Sequence, residues 1–227
     1  MKYEMNDLKE IRDLARIPMK HDSEVRRVEI IMLKFKEDPE VINKSINLII
    51  NNTNWPFKFT VYDNRLNSAN TSRIWNKLVN ESTCDYVLLI DSDAFVPICE
   101  PCWLTRMMES VNVTGLVIPV SSAKGGAHQY VTGPLAYGTK MRNKDIWSGY
   151  CFLFSKKAYQ DIGKFDESFY VYGQDSEWAV RAKKFGGAVM RQDVYVEHIG
   201  GHSFKKDPIR EKDKIYARKL FEYRTKK

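Results

Sequence analysis

The first half of the chain alternates short, continuous apolar runs with stretches whose apolar residues recur at helical spacing. The apolar runs cover residues 28–33, 57–62 and 86–90, a length that suits buried strands and is too short for typical helices. The stretches that begin at Pro39 and cover residues 70–80 have the periodicity of amphipathic helices. Strands that alternate with helices are typical of a parallel sheet with right-handed crossover connections. The pattern therefore predicts an α/β fold.

The second half of the chain has a less regular pattern. A helix is expected over residues 101–111 and a strand over residues 115–119, but residues 121–146 contain few apolar runs. A segment of that length is too long for an inert connector, which predicts a functional loop that can move. Ordered structure is expected to return at residues 147–154, and a helix is expected over residues 175–185.

Composition narrows the class of protein. Of 227 residues, 43% are apolar, and no apolar stretch approaches the roughly 18 residues that span a bilayer. The N-terminus lacks the apolar core of a signal peptide, and the four cysteines are expected to be free thiols, so a cytoplasmic location is expected. The formal charge of +7 is concentrated in residues 205–227, where ten Lys or Arg stand against four Asp or Glu.

The strongest chemical signal is a pair of carboxylates directly after the third predicted strand. Asp91 and Asp93 flank Ser92 at the carboxyl end of the run 86–90. Ligands of open α/β sheets bind at that edge, and two carboxylates in one cleft repel each other unless a cation lies between them. Hard divalent cations take one or two carboxylates together with substrate phosphates. The motif therefore predicts a site for a metal and a diphosphate, with a simple capping turn as the alternative.

Glycine, acidic and aromatic residues of the second half form an ordered set of motifs. They are Gly149-x-x-x-Leu153-Phe154, Ile162-Gly163-Lys164-Phe165-Asp166-Glu167-x-Phe169, Tyr172-Gly173-Gln174-Asp175-Ser176-Glu177-x-x-x-Arg181, Gly186 and Val196-Glu197-His198-x-Gly200-Gly201-x-Ser203. Together with the Asp-x-Asp, they resemble the family 2 glycosyltransferases of the GT-A fold over residues 28–203. The resemblance implies a Rossmann-like, mostly parallel sheet flanked by helices, with a C-terminal subregion on the acceptor side.

The resemblance also implies how the donor is bound. Asp93 and Asp91 would hold Mn²⁺ or Mg²⁺, with His198 as a further ligand and His202 as the alternative. Such a metal neutralises the charge that builds on the leaving diphosphate. The residues implied to bind the nucleotide sugar are Asp63, Arg73, Asn76, Asp91, Ser92 and Asp93. For Asn76, packing within the protein is the alternative.

For the transfer itself, the resemblance implies that Asp175 is the general base of an inverting reaction. Gln174 departs from the family, many members of which have an acidic residue there. Glu177 is the alternative base, and an N-cap role is the alternative for Asp175. The residues implied to contact the acceptor are Trp147, Gly149, Tyr150 and Glu177. For Trp147, a place in the core is the alternative.

The predicted layout has three parts. Residues 1–27 would form a helical extension, residues 28–204 the catalytic domain, and residues 205–227 a basic C-terminal helix. Within the catalytic domain, residues 28–120 would bind the nucleotide sugar and residues 121–204 the acceptor.

The predicted function is metal-dependent transfer of a sugar from a nucleoside diphosphate sugar, with a UDP-sugar favoured, to a hydroxyl of a glycan or small molecule. One alternative is the same chemistry on a modified base in DNA, which the basic tail motivates. A nucleotidyltransferase is another, although no glycine-rich phosphate loop follows the first predicted strand. A non-catalytic protein that uses the same scaffold is the third alternative.

Overall fold

The computed structural model describes residues 27–35, 37–64, 70–122, 129–144, 147–200 and 208–225. The strands are β1 (Val28–Lys34), β2 (Phe57–Asp63), β3 (Tyr86–Asp91), β4 (Ala94–Phe95), β5 (Leu116–Val120), β6 (Lys140–Lys144), β7 (Cys151–Ser155), β8 (Ala188–Tyr195) and β9 (Glu197–His198). The helices are α1 (Pro39–Asn52), α2 (Thr71–Glu81), α3 (Trp103–Thr114), α4 (Lys156–Ile162), α5 (Gln174–Ala182) and α6 (Pro208–Thr225), and a 3₁₀ turn covers Lys183–Phe185. The helical extension predicted for residues 1–27 lies outside the described residues, except for residue 27.

A seven-stranded sheet in the order β2-β1-β3-β7-β5-β8-β6 forms the centre of the protein. The pairs β2–β1, β1–β3 and β5–β8 are parallel, whereas β7 and β6 are antiparallel to their neighbours. Five strands therefore run in one direction, and the predicted mostly parallel α/β sheet is confirmed. The carboxyl ends of β2, β1 and β3 meet at one edge, because these three strands are neighbours.

The apolar runs are continuous because helices cover both faces of the sheet. All seven residues of β1 are buried, and its apolar residues belong to two different cores. Ile30 and Met32 lie in the first core, and Ile31 and Leu33 lie in the second. On one face, Ile46 of α1 and Trp103 of α3 belong to the first core. On the other face, Trp75 of α2 and Trp178 of α5 pack in an aromatic cluster of the second core. Alternation of this kind is expected for strands that are buried on both sides.

The first two helices begin where their capping residues predict. Asp38 caps α1 by accepting a hydrogen bond from the Glu40 amide at 2.9 Å, and Pro39 occupies the first turn. Asn70 caps α2 by accepting a hydrogen bond from the Arg73 amide at 2.9 Å. These caps fix the direction in which the chain leaves β1 and β2. None of the helices that the structure describes is long and apolar enough to cross a membrane.

The segment 121–146 is more ordered in the structure than the sequence predicted, because its described part is anchored to the sheet. It contains β6, which pairs with β8 at the edge of the sheet. Gln129 is 1% exposed, and its amide nitrogen donates to the Pro119 carbonyl at 2.7 Å. Asp193 accepts a hydrogen bond from the Gly138 amide at 2.9 Å. Residues 123–128 and 145–146 lie outside the described part.

Candidate active site

Two short strands bring the late histidine to the Asp-x-Asp. Asp91 ends β3, and the chain then turns through Ser92 and Asp93 into β4. The strands β4 and β9 pair antiparallel, which places His198 opposite Ala94, the residue after Asp93. The Asp93 carbonyl also accepts a hydrogen bond from the Ile199 amide at 3.2 Å. The backbone ladder therefore fixes His198 beside the carboxylates, although more than 100 residues separate them along the chain.

The three side chains converge in a geometry that suits a metal ion. His198 Nε2 lies 3.0 Å from Asp93 Oδ1 and 3.6 Å from Asp91 Oδ2. One ligand atom from each residue lies within 4.8 Å of the other two. The Asp93 side chain is 6% exposed, whereas that of Asp91 is 44% exposed and open to a ligand. Two carboxylate oxygens and an imidazole nitrogen form a donor set that Mn²⁺ accepts, so these residues fit a divalent cation.

The electrostatics of the cleft favour a cation. Although part of the Asp91 side chain is exposed, its partial withdrawal from bulk water raises the pKa of the carboxyl to about 7, against the opposing effect of the His198 imidazole. The neighbouring carboxylates of Asp93, Glu37 and Asp175 raise this pKa further. Several acidic groups thus share one cleft, and they must bind either protons or a metal ion to lie so close together.

Glu37 belongs to this group of acidic residues, although no motif in the sequence marks it. Its Oε2 atom accepts hydrogen bonds from Ser92 Oγ at 2.7 Å and from the Phe35 amide at 3.0 Å. Glu37 follows β1, which is the neighbour of β3 in the sheet. Its position after the first strand was the available signal, because the strand ends of a parallel sheet meet at one edge. Glu37 therefore orients the middle residue of the Asp-x-Asp.

Asp175 lies in the first turn of α5 and faces the same cleft. Its Oδ2 atom accepts a hydrogen bond from the Gly149 amide at 2.6 Å, and its Oδ1 atom accepts one from the Ser176 amide at 2.8 Å. The N-cap position belongs to Gly173, so the alternative that Asp175 is the cap is wrong. Burial raises the pKa of the Asp175 carboxyl, and its backbone hydrogen bonds only partly offset that effect.

Gly149 is a glycine because Asp175 packs directly against its Cα atom. A Cβ atom at this position would lie 2.7 Å from Asp175 Cβ and 3.0 Å from Asp175 Oδ2. Contacts this short do not occur in folded proteins, so any larger residue would displace the carboxylate. The close approach also permits the short hydrogen bond between the Gly149 amide and Asp175.

Both aromatic residues predicted to contact the acceptor are buried in the structure. Trp147 is 1% exposed and packs edge-to-face on Trp178, with 6.4 Å between ring centroids, so the core alternative applies to it. Tyr150 is also 1% exposed, and its ring stacks on the His198 imidazole at a centroid distance of 4.9 Å. Its carbonyl accepts a hydrogen bond from the Asp91 amide at 2.8 Å. Tyr150 therefore supports the candidate metal ligands and has no exposed ring face for a sugar.

Glu177 and Asn76 are already engaged in hydrogen bonds within the protein. Arg181 donates two hydrogen bonds of 2.7 Å to the Glu177 carboxylate. Because both carboxylate oxygens accept these bonds, Glu177 is a poorer candidate than Asp175 for the base. The Asn76 amide nitrogen donates to the Phe165 carbonyl and to Glu167, and its oxygen accepts from Tyr159 and from the Phe165 amide. All four hydrogen-bonding positions of the Asn76 amide are thus used, which is the packing alternative.

Two other residues predicted to bind the donor are Arg73, which lies on α2, and Asp63, which lies at the end of β2. Arg73 pairs with Glu167 at 3.1 Å, and its side chain is 73% exposed. This pair and the Asn76 contacts brace the segment that leads to α5. Asp63 ends β2 and lies opposite Lys34 of β1, at the same edge of the sheet as Asp91, so its role in nucleotide binding stays a prediction. His202 lies outside the described residues.

Comparisons with known proteins show the fold. No model of a protein family matches the chain, and no curated protein matches it. Among solved structures, GalNAc-T7 with UDP, GalNAc and Mn²⁺ superposes with a TM-score of 0.60 at 11% identity, covering 78% of this chain and 44% of that one. The mannosyltransferase PcManGT from Pyrobaculum calidifontis, in complex with GDP-Man and Mn²⁺, superposes with a TM-score of 0.58 at 15% identity, covering 86% and 64%. TarS from S. aureus gives a TM-score of 0.53 at 13% identity, covering 74% and 36%.

The chain therefore spans less than two thirds of the length of each of these neighbours. At such low identity the likeness bears on the fold alone, and membership of family 2 stays a prediction. The fold is that of the GT-A glycosyltransferases, with a mixed α/β architecture and a mostly parallel central sheet.

Proposed function

We propose that the protein is a metal-dependent glycosyltransferase. It transfers a sugar from a nucleoside diphosphate sugar, with a UDP-sugar favoured, to a hydroxyl of its acceptor and inverts the anomeric centre. The observation that carries this proposal is the convergence of Asp91, Asp93 and His198, whose ligand atoms lie within 4.8 Å of one another. This convergence lies at the carboxyl end of β3, where ligands of α/β sheets bind.

The metal ligands would act on the leaving group. Asp93, Asp91 and His198 would hold Mn²⁺ or Mg²⁺, which neutralises negative charge on a diphosphate. Glu37 holds Ser92 in place and so keeps the turn between the two carboxylates rigid. The stacked Tyr150 ring fixes the orientation of the His198 imidazole. Asp63, at the end of β2, would bind the ribose or the base of the donor.

Asp175 would act on the acceptor. An inverting transfer needs a base that takes the proton of the acceptor hydroxyl as its oxygen bonds to the anomeric carbon, while the bond to the diphosphate breaks on the opposite face. Burial raises the pKa of Asp175 and so strengthens it as a base. The Gly149 amide holds its Oδ2 atom at 2.6 Å, which restricts the carboxylate to one orientation.

The structural neighbours support this proposal without fixing the donor. One neighbour holds UDP, GalNAc and Mn²⁺, and another holds GDP-Man and Mn²⁺. Both are thus complexes with Mn²⁺, whereas their nucleobases differ. The specificity for a nucleobase would depend on the strand ends near Asp63, which lie beside β1.

Turnover of nucleotide sugars tests the proposal. Each sugar nucleotide of a panel is incubated with the protein and Mn²⁺, and release of the nucleoside diphosphate is measured. We expect release with one donor, its loss on chelation of the metal, and a roughly 10²-fold or larger loss in Asp175→Asn, since general-base catalysis contributes about that much. Asp161→Asn, which alters an exposed carboxylate paired with Lys157, is the control and should match the wild type.

Two results would contradict the proposal. Absence of release with every donor would favour the non-catalytic scaffold. Formation of pyrophosphate from a nucleoside triphosphate and a sugar phosphate would identify a nucleotidyltransferase.

A further inference from the structure

A second pocket lies between the first turn of α5 and the C-terminal helix α6. Its volume is about 300 Å³, and its walls include Tyr172, Ser176, Lys214, Arg218 and Phe221. No part of the Asp91–Asp93–His198 cluster lines it. The pocket is therefore distinct from the metal site, and its size suits a single small chemical group.

Specific contacts hold α6 against this part of the protein. The Val171 amide donates to Asp213 Oδ2 at 3.2 Å. Arg224 forms an ion pair with Asp166 at 3.2 Å. Ala217 is 3% exposed, and a Cβ atom on Gly173 would lie 3.5 Å from its Cβ atom. The basic helix is thus packed on the acceptor half of the fold along one face, and the pocket is part of that packing.

The pocket adjoins the proposed base. Ser176 lines it, and the Ser176 amide donates to Asp175 Oδ1 at 2.8 Å. Gly173, at the N-cap of α5, also lines it. A molecule bound here would therefore lie beside the turn that carries Asp175.

The charged and aromatic residues that line the pocket favour a ligand that combines a negative charge with a ring. Lys214 and Arg218 are cationic, and no carboxylate is found among the described residues that line the pocket. Arg218 contacts Glu222 at 3.6 Å, but both side chains are largely exposed, and ion pairs of this kind are weak. The aromatic rings of Tyr172 and Phe221 offer apolar surface next to these cations.

We propose that this pocket is the acceptor subsite and that the acceptor is a small molecule carrying a phosphate group. Lys214 and Arg218 bind the phosphate, the aromatic rings pack against the body of the acceptor, and its hydroxyl is presented to Asp175. This proposal rests on the proposed function. The pocket itself holds two cations and a volume of about 300 Å³, which suits a single phosphate group better than the row of phosphates on a DNA double helix.

Binding of phenyl phosphate, which combines a ring with a phosphate, tests the proposal. Calorimetry is run in EDTA so that the probe cannot bind through a metal, and neutral benzyl alcohol serves as the comparison. We expect phenyl phosphate to bind the wild type and benzyl alcohol not to bind. In the double variant Lys214→Gln/Arg218→Gln, affinity for phenyl phosphate should fall by roughly tenfold or more, since the variant removes both charged hydrogen-bond donors to the phosphate.

The same helix provides a matched control. Lys212 and Lys219 are exposed and, by helical periodicity, lie on the face of α6 opposite Lys214 and Arg218. Lys212→Gln/Lys219→Gln removes the same charge and should leave the affinity for phenyl phosphate unchanged. Equal weakening in both double variants would show attraction by net charge alone and would overturn the subsite.

Other outcomes separate this subsite from the proposed function. Binding of a nucleoside diphosphate with Mn²⁺ should be unchanged in Lys214→Gln/Arg218→Gln. If the wild type turns over a donor but does not bind phenyl phosphate, the subsite is wrong and the glycosyltransferase proposal stands. If duplex DNA displaces phenyl phosphate from the wild type and the displacement depends on Lys214 and Arg218, the small acceptor is wrong and a nucleic-acid acceptor replaces it.

Discussion

Replacement of Gly149 by alanine should disable catalysis without removing a single functional group. The new Cβ atom would lie 2.7 Å from Asp175 Cβ, whereas ordinary van der Waals contact begins at 3.4 Å, so Asp175 must move by about 0.7 Å. That shift also strains the 2.6 Å hydrogen bond that orients its carboxylate. A misplacement of about 1 Å in a reacting group costs roughly 10²-fold in rate, which corresponds to about 2.7 kcal/mol of barrier.

The cost in stability should be modest. Overpacking a well-packed site costs about 1–3 kcal/mol, and the loss of unfolded-chain entropy on Gly→Ala offsets about 0.4–1 kcal/mol of it. The assay compares the kcat of nucleotide release with the thermal midpoint of unfolding and with the affinity for the nucleotide in Mn²⁺. We expect kcat to fall while nucleotide affinity stays near that of the wild type, because the three atoms nearest to the new Cβ atom all belong to the proposed base.

Gly133 provides the matched control, since a Cβ atom there meets nothing within 4 Å and its backbone is outside the left-handed region. Gly133→Ala should therefore keep wild-type kcat. A folded Gly149→Ala variant with wild-type kcat would refute the assignment of Asp175 as a base that must be precisely held. An equal loss of nucleotide affinity and kcat would place the effect of Gly149 at the donor site instead.

Three further predictions follow from the contacts around the sheet. Glu37→Gln should weaken metal-dependent nucleotide binding by roughly tenfold, because partners that orient a metal site contribute about that much, and calorimetry measures it. Asp193→Asn should lower the thermal midpoint by roughly 6–12 °C, since it leaves Arg191, which is 2% exposed, without its 2.6 Å partner at a cost of about 3 kcal/mol. The pKa of Asp91 is raised to about 7 in the folded protein, above its unfolded value of about 4, so the metal-free protein should lose stability as the pH rises from about 4 to 7. Because a metal needs the ionised carboxylate, Mn²⁺ should raise the thermal midpoint more at pH 7.5 than at pH 5.5.

Each of these predictions has a control and a contrary result. Unchanged nucleotide affinity in Glu37→Gln would show that the Ser92 contact is incidental. Asp161→Asn, which alters an exposed pair with Lys157, is the control and should change the free energy of unfolding by less than about 1 kcal/mol. If Asp193→Asn changes the free energy of unfolding no more than Asp161→Asn does, the stabilising role of the Arg191–Asp193 pair is contradicted. An effect of Mn²⁺ that does not depend on pH, or that persists in Asp91→Asn, would mean that Asp91 does not ligate the metal.

The parts of the fold that could be predicted from the sequence are those with a local physical cause. The strands β1 and β3 stand out as apolar runs because helices cover both of their faces. The start of α1 follows from the cap of Asp38 and the proline that comes after it. Asp91 could be placed at the carboxyl edge of the sheet because it ends a strand of this kind.

The parts that could not be predicted depend on pairing between distant segments. The strand β6 has the polar sequence Lys-Met-Arg-Asn-Lys and lies at the edge of the sheet, where no apolar alternation is required. The burial of Trp147 and Tyr150 could not be predicted, because burial of an aromatic ring depends on partners such as Trp178 and His198, which come later in the chain. Glu37 carries no motif of its own, and only the adjacency of β1 and β3 brings it to Ser92.

Calorimetric binding of UDP, GDP, dTDP and CMP, with and without Mn²⁺, tests the metal–nucleotide site most directly. The wild type is compared with Asp93→Asn, which removes one charge from the ligand cluster, and with Asp161→Asn as the control. We expect one nucleotide to bind only when Mn²⁺ is present, with affinity lost in Asp93→Asn and kept in Asp161→Asn. Absence of binding by all four nucleotides, or binding that depends on neither Mn²⁺ nor Asp93, would contradict a metal-dependent glycosyltransferase site at the end of β3.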